Sequence, residues 1–378
     1  MNTQNIVQSF NKENKRNGRI DFLRFLFAFI VMLHHSRYLL GDDDCLFLGG
    51  SLGVEFFFII SGYFMIVSIE RRLVASEGSS SELALAKDTS AFLKRKVKSL
   101  LPQLPIAWII GLGFVVYVRR LNVRGGLDKI IDTIGEWTLL KMTGMHTGSL
   151  DGVIWYLSSM LLCMAILYPL IMTWPNMMKK IWCPLIAFML LGITCIIDSN
   201  PRNPTKVYAF IYKGNLRAMA EICIGISIYP FVKKMSNINW NVFAKILFEF
   251  IEVIGYILLI RYMYIEKPNE KDYFYILIFA VCIILSLSKA GILSKLFDNK
   301  FSYRLGKFSL ALYFSHIYYA QNLNVIIDGL KKSDKIIIYV ACALATSIVV
   351  EILSVLYKKY ADEIKKLLKK SMIANKIA

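Results

Sequence analysis

The sequence predicts an all-α polytopic membrane protein. Three observations lead there. The 378 residues are 56% hydrophobic and 19% charged, against about 45–50% and 25% in soluble domains. Mean hydropathy is +0.51. Long apolar windows recur along the chain, each close to the roughly 20 residues that a bilayer-spanning helix needs. The net charge of +18 would suit a nucleic-acid binder, but so apolar a composition, with 24 Phe and 20 Tyr, excludes a nucleic-acid partner and excludes disorder. The partner implied is the lipid bilayer.

Ten windows qualify: residues 20–40, 46–69, 100–118, 153–173, 181–197, 216–232, 243–262, 272–288, 305–327 and 335–357. Ten spans put both termini on one side. With the termini inside, 28 of the 45 Lys and Arg fall in inside segments and 16 in outside ones, while 13 acids lie outside and 8 inside. The positive-inside rule then makes both termini cytoplasmic. The loop 119–150, with Arg119, Arg120 and Arg124, is the main misfit. Three parts follow: a polar N-terminus (1–18), a membrane domain (19–357) and a basic tail (358–378). The first 18 residues are polar and no cleavage site follows, so no signal peptide is expected. Residues 75–90 read as a cytoplasmic linker.

Six of the seven Cys fall in or beside spans, which is no disulfide framework. No zinc-ligand spacing occurs, so no metal is expected. No repeat of broken helices, as in inverted-repeat transporters, is visible.

Charged groups at membrane depth are costly and usually face the protein interior or a cavity. Arg24 and His35 are eleven residues apart, three helical turns plus about 20°, and so share one stripe about 16 Å long; His34 lies about 80° off it. Glu55, in the returning second span, falls about 14 Å deep if that span is helical from Leu46, close to His35 in depth. A carboxylate that fixes an imidazole builds a general base; the alternative is a structural buried pair. Ser309, Tyr313 and His316 share one face of the ninth span, as a cavity lining or as core. Arg217 and Glu221 read as a local i,i+4 pair, and Glu249 and Glu252 as a solvated helix end. The run Lys94-Arg95-Lys96-Val97-Lys98 is a topology anchor or a lip for the phosphates of a nucleotide-containing donor.

Four blocks resemble the integral-membrane acyltransferase 3 family. Arg-Ile-Asp-Phe-Leu-Arg (19–24) followed by His35 is similar to its Arg-x10-His signature. Gly53-Val-Glu-Phe-Phe-Phe-Ile-Ile-Ser-Gly62 is similar to its Gly-Val-Asp block, with Glu55 where the family commonly has Asp. Trp155-Tyr-Leu and Gly306 through His316 resemble its Trp-Phe/Tyr-Leu and Ser-x3-Tyr-x2-His blocks. The blocks run in family order from residue 19 to about 320. Lys96 fits the family's basic block, whereas Ser99 stands at a frequently cationic position.

The resemblance implies transfer of an acyl group, most often acetyl, from cytoplasmic acyl-CoA (acetyl-CoA) to a hydroxyl of an extracytoplasmic glycan or similar acceptor, in the bacterial cytoplasmic membrane. Arg24, Arg95, Lys96 and Lys98 would hold the donor phosphates. His35, oriented by Glu55, would be the general base or, alternatively, an acyl-His nucleophile. Ser61, Trp155, Ser309, Tyr313 and His316 would line the substrate cavity. No esterase-like domain follows the core, so transfer would finish within the membrane domain or with a partner protein. The rival readings are a transporter or flippase for a glycan or small anion, with the buried charges as a proton relay, and a membrane receptor.

Overall fold

A computed structural model describes residues 16–75, 82–144, 148–150, 152–198 and 203–377. They are almost entirely helical. The principal helices are α1 (Gly18–His34), α2 (Gly53–Ala75), α3 (Glu82–Leu100), α4 (Gln103–Val118), α5 (Val123–Asp132), α6 (Trp155–Thr173), α7 (Cys183–Ile197), α8 (Lys213–Asn237), α9 (Val242–Ile265), α10 (Asp272–Ser288), α11 (Lys300–Ser315), α12 (Ile317–Asn322) and α13 (Lys332–Ile377). A two-residue antiparallel pair, Val207–Tyr208 with Ile211–Tyr212, leads into α8. The N-terminal residues 1–15 and residues 76–81 of the expected linker lie outside the described residues; residues 82–90 of that expected linker are instead the first half of α3.

Local chemistry sets the helix starts. Asn17, Asn122, Asn241 and Asn299 each accept a hydrogen bond from a backbone N–H of the first turn they precede, the role for which an N-cap Asn is suited. Pro102 follows α3, and α3 meets α4 at 44°; a proline disfavours helical geometry in the residue before it. α13 runs without a break past residue 358 to Ile377.

Among the described residues, five helical segments are long and apolar enough to cross a membrane: Gly18–Leu40, Gly50–Val74, Gly152–Thr173, Pro175–Ile197 and Lys332–Ala361; the bent pair α3–α4, taken as one span, makes a sixth. α8 and α9 carry several charged residues each, among them Lys213, Arg217 and Glu221 on α8 and Glu249 and Glu252 on α9, and all five are buried. Large apolar side chains such as Phe188, Ile196, Phe250 and Ile337 point out of the bundle, the surface expected where the solvent is lipid.

The solvated end expected at Glu249 and Glu252 is not found. Both are buried and clamp Arg19 of α1, at 3.0 Å from Glu249 Oε1 and 2.5 Å from Glu252 Oε2. Removing one partner of such a buried pair costs about 3–5 kcal/mol. The second window also differs. Leu46–Gly49 is loop and α2 begins at Gly53, which puts Glu55 in its first turn and removes the 14 Å depth. The ninth window is two helices, α11 and α12, broken at His316.

Two pairs of helices frame the interior. α1 packs along α11, where Gly306 lies so close to Asp21 that a Cβ would overlap its carboxylate. α2 packs along α8 in the same direction. A Cβ on Gly62 would overlap the Ile222 carbonyl, and one on Gly225 the Ile59 carbonyl. Small residues at such a crossing let the backbones touch. Gly225→Val should therefore cost at least the 1–3 kcal/mol typical of overpacking and lower the thermal midpoint of the detergent-solubilised protein. Gly113→Ala, where a Cβ meets nothing within 4 Å, should leave that midpoint unchanged.

Candidate active site

The α2–α8 contact brings Glu55 to Arg217. The Glu55 Oε1 atom accepts from Arg217 Nη2, and Glu221 Oε1 lies 3.8 Å from Arg217 Nε. All three are buried. The i,i+4 neighbourhood of Arg217 and Glu221 is thus present, but the hydrogen-bonded partner of Arg217 is Glu55. The expected orientation of His35 by Glu55 is corrected accordingly: Glu55 sits on α2 facing α8, and its other oxygen accepts no hydrogen bond.

His35 has two partners, His316 and the Val31 carbonyl of its own helix. His35 is the C-cap of α1, and the break between α11 and α12 turns the His316 ring toward it. His316 Nε2 and His35 Nδ1 are 3.0 Å apart, and His316 Nδ1 is 3.0 Å from the Leu312 carbonyl. A carbonyl only accepts, so His316 Nδ1 carries a proton and donates it to Leu312. In the neutral ring His316 Nε2 is then an acceptor, and His35 Nδ1–H donates to it. This leaves His35 Nε2 as a lone-pair nitrogen. A backbone carbonyl and one imidazole thus set the tautomer that a carboxylate was expected to set.

His35 and Arg217 line one small cavity of about 60 Å³, together with Trp155, Tyr156 and Tyr313. The guanidinium of Arg217 lies over the Trp155 ring at 5.7 Å. Tyr313 donates its hydroxyl to the Val153 carbonyl, and its ring meets Tyr156 edge-on at 6.0 Å. Trp155 and Tyr313 are therefore walls of this cavity. Ser61 stands behind the wall, with its hydroxyl 3.3 Å from that of Tyr156. Ser309 does not share this role: it is buried and donates to the Gly306 carbonyl of its own helix, as a serine one turn on from an open carbonyl readily does. His34 bonds the Phe47 carbonyl through Nδ1, at 2.8 Å.

Toward the opposite end of α1, Arg24 has a buried Nε without a hydrogen-bond partner. Lys96 and Tyr156 lie within its electrostatic range. The expected cluster of Arg95, Lys96 and Lys98 does not form one patch. These residues stand on a continuous α3, and 100° per residue sets Lys96 and Lys98 on nearly opposite sides. Lys96 leans over Phe92, 5.8 Å from its ring. Lys98 and Lys94 rim a separate apolar groove of about 690 Å³ against Pro169 of α6, and Arg95 is exposed.

Among the described residues no group of three or more His, Cys, Asp or Glu side chains is arranged to hold a metal ion.

Sequence reasoning set Arg217 aside as part of a local pair. The available signal was its position at the start of an apolar window, where an arginine needs a reason to be. The family model described as an acyltransferase domain matches residues 17–355. Neither the curated proteins nor the solved structures give a match.

The hydrogen-bond relay predicts that ¹⁵N-histidine spectra of the purified protein place the His35 proton on Nδ1. His316→Ala should shift the His35 ring signals, while His34→Gln should leave them in place.

Proposed function

Because the chain belongs to the acyltransferase 3 family, we propose that it transfers an acetyl group from cytoplasmic acetyl-CoA to a hydroxyl of an extracytoplasmic glycan, with His35 Nε2 as the general base. The observation that carries this reading is the pairing of His35 with His316 beside a small cavity that His35 shares with two arginines, Arg37 and Arg217. In such a site a base can take the proton of an attacking hydroxyl as the new bond forms. The cavity volume, about 60 Å³, equals about two waters at roughly 30 Å³ each, which suits an acetyl group better than a long acyl chain.

The donor enters from the Arg24 end. Arg24 and Lys96 form a pair of neighbouring cations suited to phosphate oxygens, and Arg24 Nε is a buried donor with no hydrogen-bond partner among the described residues. Tyr156 links the two regions, since it walls the cavity and lies within range of Arg24. The thioester end would reach past Tyr156 to His35.

Ten spans with cytoplasmic termini, in a bacterial cytoplasmic membrane, fit this direction of transfer. Segments expected inside meet each other: Gly18 N–H donates to Asp298, which also pairs with Lys289. Segments expected outside do likewise, through Asp43 with Lys267 and Asp44 with Lys332.

In the reaction the acceptor hydroxyl loses its proton to His35 Nε2 as its oxygen attacks the thioester carbon. When the carbon–sulfur bond breaks, its electron pair goes to sulfur, and His35 returns the proton to give free CoA thiol. His316, hydrogen-bonded to Nδ1, stabilises the transient imidazolium only if it stays neutral, and its bond to Leu312 favours the Nδ1–H tautomer that can accept.

Purified full-length protein in detergent, with no second compartment, should move label from [¹⁴C]acetyl-CoA onto envelope polysaccharide. His35→Ala should lower the rate by about 100-fold or more, the scale of general-base catalysis, and Arg24→Ala should weaken acetyl-CoA binding. Absence of any transfer by the wild-type protein would favour a transporter and overturn the reading.

A further inference from the structure

Two arginines border the cavity, Arg37 and Arg217; Arg217 is the buried one, and the steps above leave it without a task. We propose that Arg217 is the oxyanion-binding residue of the acyl transfer, with Glu55 as the residue that positions it; the proposal rests on the acyltransferase reading.

Four observations point there. Arg217 and His35 border the same small cavity, so a thioester carbonyl placed for attack beside His35 would have its oxygen within the reach of the guanidinium. The guanidinium is anchored on one side by Glu55 and held over the Trp155 ring at 5.7 Å. Glu221 lies 3.8 Å from Nε, and neither of its oxygens accepts a hydrogen bond, so it contributes charge at that edge rather than a bonded geometry. The backbone beneath is fixed as well: Asn215 accepts from Ser159 and donates to the Met142 carbonyl, and the Gly62–Gly225 crossing sets the register of α2 against α8.

The chemistry follows from this placement. When the acceptor oxygen bonds to the thioester carbon, the carbonyl π electrons move to oxygen and the hydroxyl proton moves to His35. The negative charge then sits on an oxygen facing a guanidinium that is already oriented and carries five N–H donors in a planar fork. As the intermediate collapses, the carbonyl re-forms, the carbon–sulfur bond breaks toward sulfur, and the His35 proton passes to the thiolate. A donor fixed beforehand in a water-poor cavity stabilises the developing charge without reorganising. An arginine serving stability alone would gain nothing from a place in the cavity wall.

The test uses the full-length protein with [¹⁴C]acetyl-CoA, measuring acetyl transfer to envelope polysaccharide and, separately, acetyl-CoA affinity and thermal midpoint. Arg217→Lys keeps the charge and loses the fork. It should reduce the maximal rate by about 100- to 1,000-fold, as loss of an oxyanion donor does, with acetyl-CoA affinity unchanged. Arg217→Ala should regain rate on addition of millimolar guanidinium, which a purely structural role would not allow. Glu55→Gln should lower the maximal rate while leaving acetyl-CoA affinity in place. An active wild type whose Arg217→Lys variant keeps its maximal rate, or whose Arg217→Ala variant loses donor affinity and rate together without rescue, overturns the proposal alone. A wild type inactive with acetyl-CoA overturns the acyltransferase reading and the proposal with it.

Discussion

The buried ion pair between Glu55 and Arg217 is the interaction on which the rest of the structure depends. Neither charge can stand alone in the interior: a pair is tolerated when its members meet in good geometry, and breaking one is far more costly than never having built it. The pair therefore demands that α2 and α8 run side by side in a fixed register. The glycine contact at Gly62 and Gly225 meets that demand, seven residues on from Glu55 and eight on from Arg217. Once α2 and α8 are locked, Trp155 and Tyr156 of α6 close over them and the cavity acquires its wall. Arg19 repeats the principle toward the other end of α1, where Glu249 and Glu252 tie α1 to α9.

Against this electrostatic frame the histidines are held by neutral hydrogen bonds. The Leu312–His316–His35 relay uses a backbone carbonyl that the break at His316 presents to its own side chain. That break is the reason the ninth window could not be one straight span: a continuous helix would have carried the His316 ring along the stripe of Ser309 and Tyr313. The arrangement separates two tasks. Charge balance is handled by Glu55 and Arg217, while the tautomer of His35 is handled by a partner that carries no charge.

Much of this was legible in the sequence, and the division is physical. Helix periodicity is a local property, so the all-α character and most of the apolar helices could be read directly, and the family blocks identified the chain as a member of the acyltransferase 3 family. Partners across helices are not local. Glu55 and His35 stood at matching depth only under the assumption that Leu46–Gly49 is helical, and the loop there moved Glu55 to a first turn. Arg217 was assigned to Glu221 because i+4 is the only neighbour a sequence displays. Glu249 and Glu252 looked solvated for want of a visible partner, and Arg19 sits some 230 residues away. The basic run 94–98 read as one patch because its residues are adjacent in sequence, whereas on a helix adjacency disperses them. His316 was identified as a cavity residue, yet its real role as the neighbour of His35 depends on a helix break that composition does not announce.

The proposed role of His35 as the base of the acyl transfer has a direct test. Mass spectrometry of envelope polysaccharide from cells carrying either the wild-type chain or His35→Gln, at equal membrane abundance, addresses it most directly. The account predicts an O-acetyl mass increment with the wild type and its loss with the variant. The same increment in both would contradict it.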